Sequence, residues 1–380
     1  MKGVKFASAA LGLIIGVLAA VPANAFSRGT FEHMAGLPQQ VEGIAVGSDN
    51  NVYTVSTNGA NLFIIPGAAP CDTCMLTTRP ITGLGPNPVN LIGLAFTPGG
   101  RLVVADAGNG RVLAIDTTFG SATVVMTIPM ANSFLNAITF DTNANGSNIY
   151  VSDSRNGIIW TATGCLNAAC PLLDAGSVVA KAWAGPDPLL SPPTDADIEP
   201  AVGANGITFS NSGSRLLVAN TGRRNIIQIP RPTIGGPPGT PMVFVTGVNG
   251  PDGVAVQTTA TQPFPASIWV AANQSDEIVV IDNLTGRVIT KLGDFNGLGH
   301  CPKQGTSTCR PADGSLLFPA SLAFSNDGAE LYVSNFAFNL GAGGATPSID
   351  SPWTAQVRTW NVVKISTRIT APTFPPPPSP

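Results

Sequence analysis

Charge is scarce in this 380-residue sequence: Asp, Glu, Lys and Arg make up 11% of it, with 19 Lys+Arg against 22 Asp+Glu. No basic stripe or Arg cluster stands out, so the electrostatic footprint of a nucleic-acid binder is missing and no nucleic-acid partner is expected. Histidine is scarcer still, with only His33 and His300, far apart in the chain, which argues against a histidine-based zinc centre. A Gly-x-Ser-x-Gly elbow, a Walker loop and a dinucleotide fingerprint are all absent, which disfavours covalent serine catalysis and nucleotide chemistry. Long apolar runs are equally rare. The one at residues 6–21 follows Lys2 and Lys5 and leads into Ala23-Asn24-Ala25, the pattern of a secretory signal peptide cleaved after Ala25. Its uncharged core is shorter than the ~20 residues a membrane span needs. The mature chain is therefore expected to be secreted or periplasmic, mildly acidic and without a membrane span.

Turn formers are what the sequence has in quantity, with 42 glycines and 34 prolines. Together with the low charge they point to many short strands joined by turns, an all-β chain. Six cysteines fall in three local pairs, Cys71/Cys74, Cys165/Cys170 and Cys301/Cys309. In an exported protein these read as disulfides; of the fifteen possible pairings the local one is the simplest. Cys71-Asp72-Thr73-Cys74 has a second reading as a metal or redox site, which lacks a nearby second ligand pair.

One pattern recurs six times at roughly the 40–50-residue period of a β-propeller. It opens with Glu42-Gly-Ile-Ala-Val46, Ile92-Gly-Leu-Ala-Phe96, Asn136-Ala-Ile-Thr-Phe140, Asn205-Gly-Ile-Thr-Phe209, Asp252-Gly-Val-Ala-Val256 and Ala320-Ser-Leu-Ala-Phe324. Each copy is read as the innermost strand of a blade. Second strands follow over residues 51–56, 101–105, 148–152, 215–219, 267–271 and 330–334. Most are followed by an Asp or Asn: Asp106, Asp153, Asn220 and Asn335 directly, and Asn273 one residue later. A β-sandwich or solenoid also has short strands, but neither gives a reason for six copies of this meander. The expected architecture is a signal peptide over 1–25, a six-bladed propeller of four-stranded antiparallel blades over 26–369, and a proline-rich disordered tail over 370–380. Residues 26–34 are expected to close the ring by pairing with the last blade. Two intervals between copies are stretched, so segments 185–204 and 294–319, the latter carrying His300, are lid candidates over one face, the top.

The residue opening each inner strand projects toward the axis, and in the six copies it reads Glu42, Ile92, Asn136, Asn205, Asp252 and Ala320. Four of these carry side-chain oxygen. Burying them is costly unless they are paired, hydrated or bound to a cation. Two carboxylates and two amides make a hard donor set that suits Ca²⁺ and accepts Mg²⁺ or Mn²⁺. The plainer reading, that they cap strand ends or line a water-filled channel, stands beside it.

Glu42-Gly43, Asn136-Ala137, Asn205-Gly206-Ile207 and Pro251-Asp252-Gly253 resemble the metal-binding positions of the SMP-30/gluconolactonase family, six-bladed propellers that hydrolyse sugar lactones and related esters. The resemblance spans about residues 41–365, and NHL-like repeats such as Asn109-Gly110-Arg111-Val112 run through it. It implies a divalent cation, most naturally Ca²⁺, held by Glu42, Asn205 and Asp252. It further implies Asp252 as a candidate general base, Asn136 as a substrate contact and a small-molecule lactone or ester as substrate. The family's substrate-binding arginine has no counterpart here. The alternative from a different class is a non-catalytic exported propeller that binds a protein or glycan, with any cation structural. Either is expected to act as a monomer.

Overall fold

A computed structural model of the chain describes residues 31–67, 76–143, 146–163, 177–194, 202–258, 266–299, 301, 309–340 and 350–367. The segments 1–25 and 370–380, Cys71, Cys74, Cys165, Cys170 and His300 lie outside the described residues. Among the described residues no helix is long and apolar enough to cross a membrane.

The strands form six four-stranded antiparallel sheets, blade two gaining a fifth, parallel strand from Val178–Val179. Five inner strands run Leu91–Phe96, Leu135–Asn143, Ala204–Phe209, Pro251–Val256 and Pro319–Phe324; in blade one only Ala45–Val46 is regular. Each inner strand packs against those of its two neighbours, and blade six meets blade one, so the sheets close a six-bladed propeller. Among the described residues α-helix is confined to the single turn Ser351–Thr354.

Each blade is covered on both faces, which is why its middle strands are continuous apolar runs rather than alternating ones. Leu102–Asp106 and Ile268–Ala272 are buried at every position. The interior accordingly divides into one apolar cluster per gap between adjacent blades. The final gap is sealed by the start of the described chain: Glu32–Leu37 pairs antiparallel with Trp360–Ser366 as the outermost strand of blade six. Phe31, just before it, is buried between blades five and six.

Near the axis the blades approach too closely for a side chain at some positions. A Cβ on Gly93 would sit 2.0 Å from the Asn136 carbonyl oxygen, and one on Gly206 would sit 2.2 Å from that of Asp252. Hydroxyls stitch three of the six junctions. Ser152 Oγ donates to the Asn205 carbonyl at 2.6 Å, Thr221 Oγ1 to that of Pro251 at 2.7 Å, and Ser334 Oγ, in blade six, to that of Glu42 in blade one. Further out, the buried Arg231 pairs with Asp141, which also accepts from Tyr150 Oη at 2.9 Å and ties blade three to blade four. Cys301 and Cys309 form a disulfide in the connection between blades five and six, with 4.4 Å between their Cα atoms.

Candidate axial site

The axial side chains are aimed by a backbone irregularity that most blades repeat. Leu91 pairs with Asp106 and Leu94 with Val104, so three steps on the inner strand face two on its neighbour. The same one-residue bulge separates Leu135 from Ile138, Ala204 from Ile207, Pro251 from Val254 and Pro319 from Ser321. A bulge re-aims the side chains it contains. The first residue inside each is Ile92, Asn136, Asn205, Asp252 or Ala320, the positions expected from sequence.

Glu42, Asn136, Asn205 and Asp252 line one cavity of about 270 Å³. All four are buried, Glu42 and Asp252 at 5% exposure. A further residue joins them. By pairing register, Ala272, opposite Pro251, corresponds to Asp106, Asp153, Asn220 and Asn335, so Asn273 lies one position further on. Adjacent strand positions face opposite ways. The other four turn into blade-to-loop contacts: Asp106 accepts the Asn90 N–H at 3.2 Å, Asp153 accepts from Asn156 at 2.9 Å, Asn220 donates to the Leu189 carbonyl at 2.8 Å, and Asn335 donates to that of Ser315 at 3.1 Å. Asn273, in the class of Thr57 and Thr221, lines the cavity instead and donates to Asp252 Oδ2 at 3.1 Å. Grouping Asn273 with the other strand-end Asx residues, as the sequence invites, is therefore corrected by one residue. The signal was the offset itself.

Three buried oxygens of this cluster, Glu42 Oε2, Asn205 Oδ1 and Asn273 Oδ1, have no hydrogen-bond partner among the described residues. Buried acceptors are rarely left so, because each forfeits its hydration. Among the described residues no lysine, arginine or histidine lines the cavity. Burial, and then the Asp252 charge, holds the Glu42 carboxyl well above the usual carboxylate range. Burial also pushes Asp252 up to about 7, against the hydrogen bonds of Asn273 and Asn205 that favour its ionised form. Two carboxylates and two amide oxygens, three of the four side chains having an oxygen to spare, are a donor set of the kind a hard cation takes. Among the described residues no group of three or more His, Cys, Asp and Glu side chains is arranged for a metal, so the amides are essential to any such set.

Above the floor, the walls come from residues two positions before the inner-strand openings, Gln40, Asn90, Phe134 and Phe318, and from Val202. Val202 and Phe318 belong to the two segments expected as lids; residues 195–201, 300 and 302–308 of those segments lie outside the described residues. A third insertion was not anticipated. In blade six the second strand ends at Asn335 and the third begins at Trp360, and the intervening segment sends Phe336, Phe338 and Leu340 to the cavity.

In sequence the chain matches no family model and no curated protein. Its fold is shared with solved propellers. A calcium-binding protein, regucalcin from Agrobacterium tumefaciens, matches at TM-score 0.55 and 14% identity over 89% of this chain and 92% of that one. A gluconolactonase from Xanthomonas campestris matches at 0.52 and 15%, covering 90% and 91%. A streptogramin B lyase matches at 0.52 and 13%, covering 90% and 100%. At such identities the likeness establishes the six-bladed fold, on which different chemistries sit.

Proposed function

We propose that this propeller is a divalent-cation-dependent hydrolase of lactones or related esters, working at the axial cavity. The observation that carries the reading is the set of three unpartnered oxygens, on Glu42, Asn205 and Asn273, around the same cavity as Asp252. Those four residues are the proposed ligands, and Ca²⁺ is the ion their oxygen chemistry favours. Fold neighbours named as a gluconolactonase and as a calcium-binding regucalcin support the direction.

A cation at this position supplies Lewis acidity, polarising a carbonyl oxygen and lowering the pKa of water. The chain's own residues do the rest. Asn273 fixes the Asp252 carboxylate through its Nδ2–H, and that carboxylate is the base that takes a proton from the attacking water. Asn136, on the same floor, orients the substrate by donating to one of its oxygens. Water adds to the acyl carbon, the acyl–oxygen bond breaks, and the departing alkoxide takes up the proton to give a hydroxy acid. The leader pattern at residues 1–25 supports a site of action outside the cytoplasm.

Hydrolysis of a panel of γ- and δ-lactones and aryl esters, with and without chelator, tests the reading. Turnover that chelation abolishes and Ca²⁺ restores is expected. Turnover indifferent to chelation, or none on any member, overturns it.

A further inference from the structure

The cavity has two unlike halves. Its floor is polar, but one side of its mouth is aromatic: Phe318, Phe336 and Phe338 line it together, with Leu340 alongside and Phe134 and Ile92 on other blades. Phe336 and Phe338 stack with centroids 5.0 Å apart and planes at 12°, and Phe318 lies 6.3 Å from each. Phe338 is 38% exposed, a large apolar ring open to the mouth rather than spent on the core.

The backbone under these rings is built to hold them. Phe318 and Ala337 both adopt a left-handed conformation, with φ of 48° and 45°, which non-glycine residues take only when surroundings impose it. Asp276 Oδ1 accepts the Phe318 N–H at 2.7 Å, and the Phe336 N–H donates to the Phe318 carbonyl at 3.1 Å. Gln40 Nε2, from across the blade six to blade one junction, donates to the Phe336 carbonyl at 3.2 Å. A wall held in a strained conformation by contacts from two other blades is a fixed surface.

From this geometry we infer that the site selects lactones or esters bearing a flat or extended apolar body, aryl or alkyl, and disfavours polyhydroxylated sugar lactones. Phe336 and Phe338 are the specificity-determining residues. A ligand whose carbonyl reaches the polar floor lays its apolar part on the Phe336/Phe338 stack, where burial and aromatic contact add affinity. A sugar lactone would set its hydroxyls against the same rings, losing hydration without hydrogen bonds in return. This inference rests on the hydrolase reading for its reaction, though not for its binding preference.

The test compares wild type with Phe338→Ala, Phe336→Ala and the conservative Phe338→Leu on two lactones, dihydrocoumarin and D-glucono-δ-lactone. Calorimetric binding of dihydroquinolinone, the non-hydrolysed lactam counterpart of the first, is measured in parallel. Expected are kcat/KM at least about tenfold higher for the aryl lactone, and a rise in its KM of about tenfold in Phe338→Ala with kcat little changed. Phe338→Leu should recover most of that loss, and gluconolactone kinetics should not worsen in Phe338→Ala. Should neither lactone turn over while the lactam binds wild type and binds Phe338→Ala about tenfold more weakly, the apolar site stands and the hydrolase reading falls. Gluconolactone preferred over dihydrocoumarin, or lactam binding unaffected by both alanine variants, overturns the inference and leaves the hydrolase reading intact.

Discussion

Asn273 donates its side-chain N–H to Asp252 at 3.1 Å and by doing so turns its own carbonyl oxygen into a buried acceptor with no partner. The amide thus orients one proposed ligand and offers itself as another. Asn273→Leu, close in volume but without oxygen, is expected to weaken Ca²⁺ binding by at least about tenfold, the loss of one oxygen ligand from a set of four, while leaving the fold intact. Asn220→Leu removes the hydrogen bonds to the Leu189 and Ser191 carbonyls, at 2.8 and 3.0 Å, and is expected to lower Tm without changing Ca²⁺ affinity. Calorimetric titration and thermal melts of both variants separate the two roles.

The aromatic wall carries a pH dependence of its own. Burial, then the charge of Asp350, with Asp294 a lesser contributor, pushes Asp276 up to about 8, and burial raises Asp350 as well. In the unfolded chain Asp276 titrates near about 4, so between about pH 4 and 8 the folded state binds the extra proton and stability falls as pH rises. Asp276→Asn, whose side-chain carbonyl still accepts from the Phe318 N–H, should flatten that decline. Tm followed from acid to mildly alkaline pH measures it, and an unchanged slope would show that the proton sits elsewhere.

Arg231 and Asp141 are a buried ion pair, with side chains 1% and 2% exposed, and Arg231 also lies 4.0 Å from the Phe209 ring centroid. Removing one partner strands the other charge. Arg231→Met is expected to cost about 3–5 kcal/mol in urea denaturation, and Arg231→Met/Asp141→Leu distinctly less. Additive losses in the double variant would mean the pair is not coupled.

Gly93 tests the close approach at the axis. A methyl group there meets the Asn136 carbonyl at 2.0 Å, a backbone atom that cannot swing aside. Gly93→Ala is expected to cost about 1–3 kcal/mol by forcing blades two and three apart. Because Asn136 is on the displaced strand, the turnover expected at the axial site should fall too. A neutral effect on both would mean the blades have slack.

The inner strands were legible in the sequence because every copy opens at the same step of the meander, so aligning the copies places Glu42, Asn136, Asn205 and Asp252 in one ring. Asn273 was harder to read, since a one-residue offset at the end of a strand, present in the sequence, moves a side chain from one face to the other, and the Pro251–Ala272 pairing shows on which face it lies. Phe336 and Phe338 escaped for a different reason. An insertion announces itself as a stretched interval to the next copy, and the last blade has no next copy: its third strand returns after the insertion and its fourth comes from the beginning of the described chain. Aperiodic segments leave no trace in a period.

The most direct test of the account is the metal content and Ca²⁺ affinity of the purified mature protein beside its Glu42→Gln/Asp252→Asn variant. The account predicts one bound divalent ion in wild type, a Tm that rises with Ca²⁺ concentration as binding to the folded state requires, and neither property in the variant. Wild type that binds no divalent ion, or a variant that binds it as well, would contradict the axial site as a cation centre.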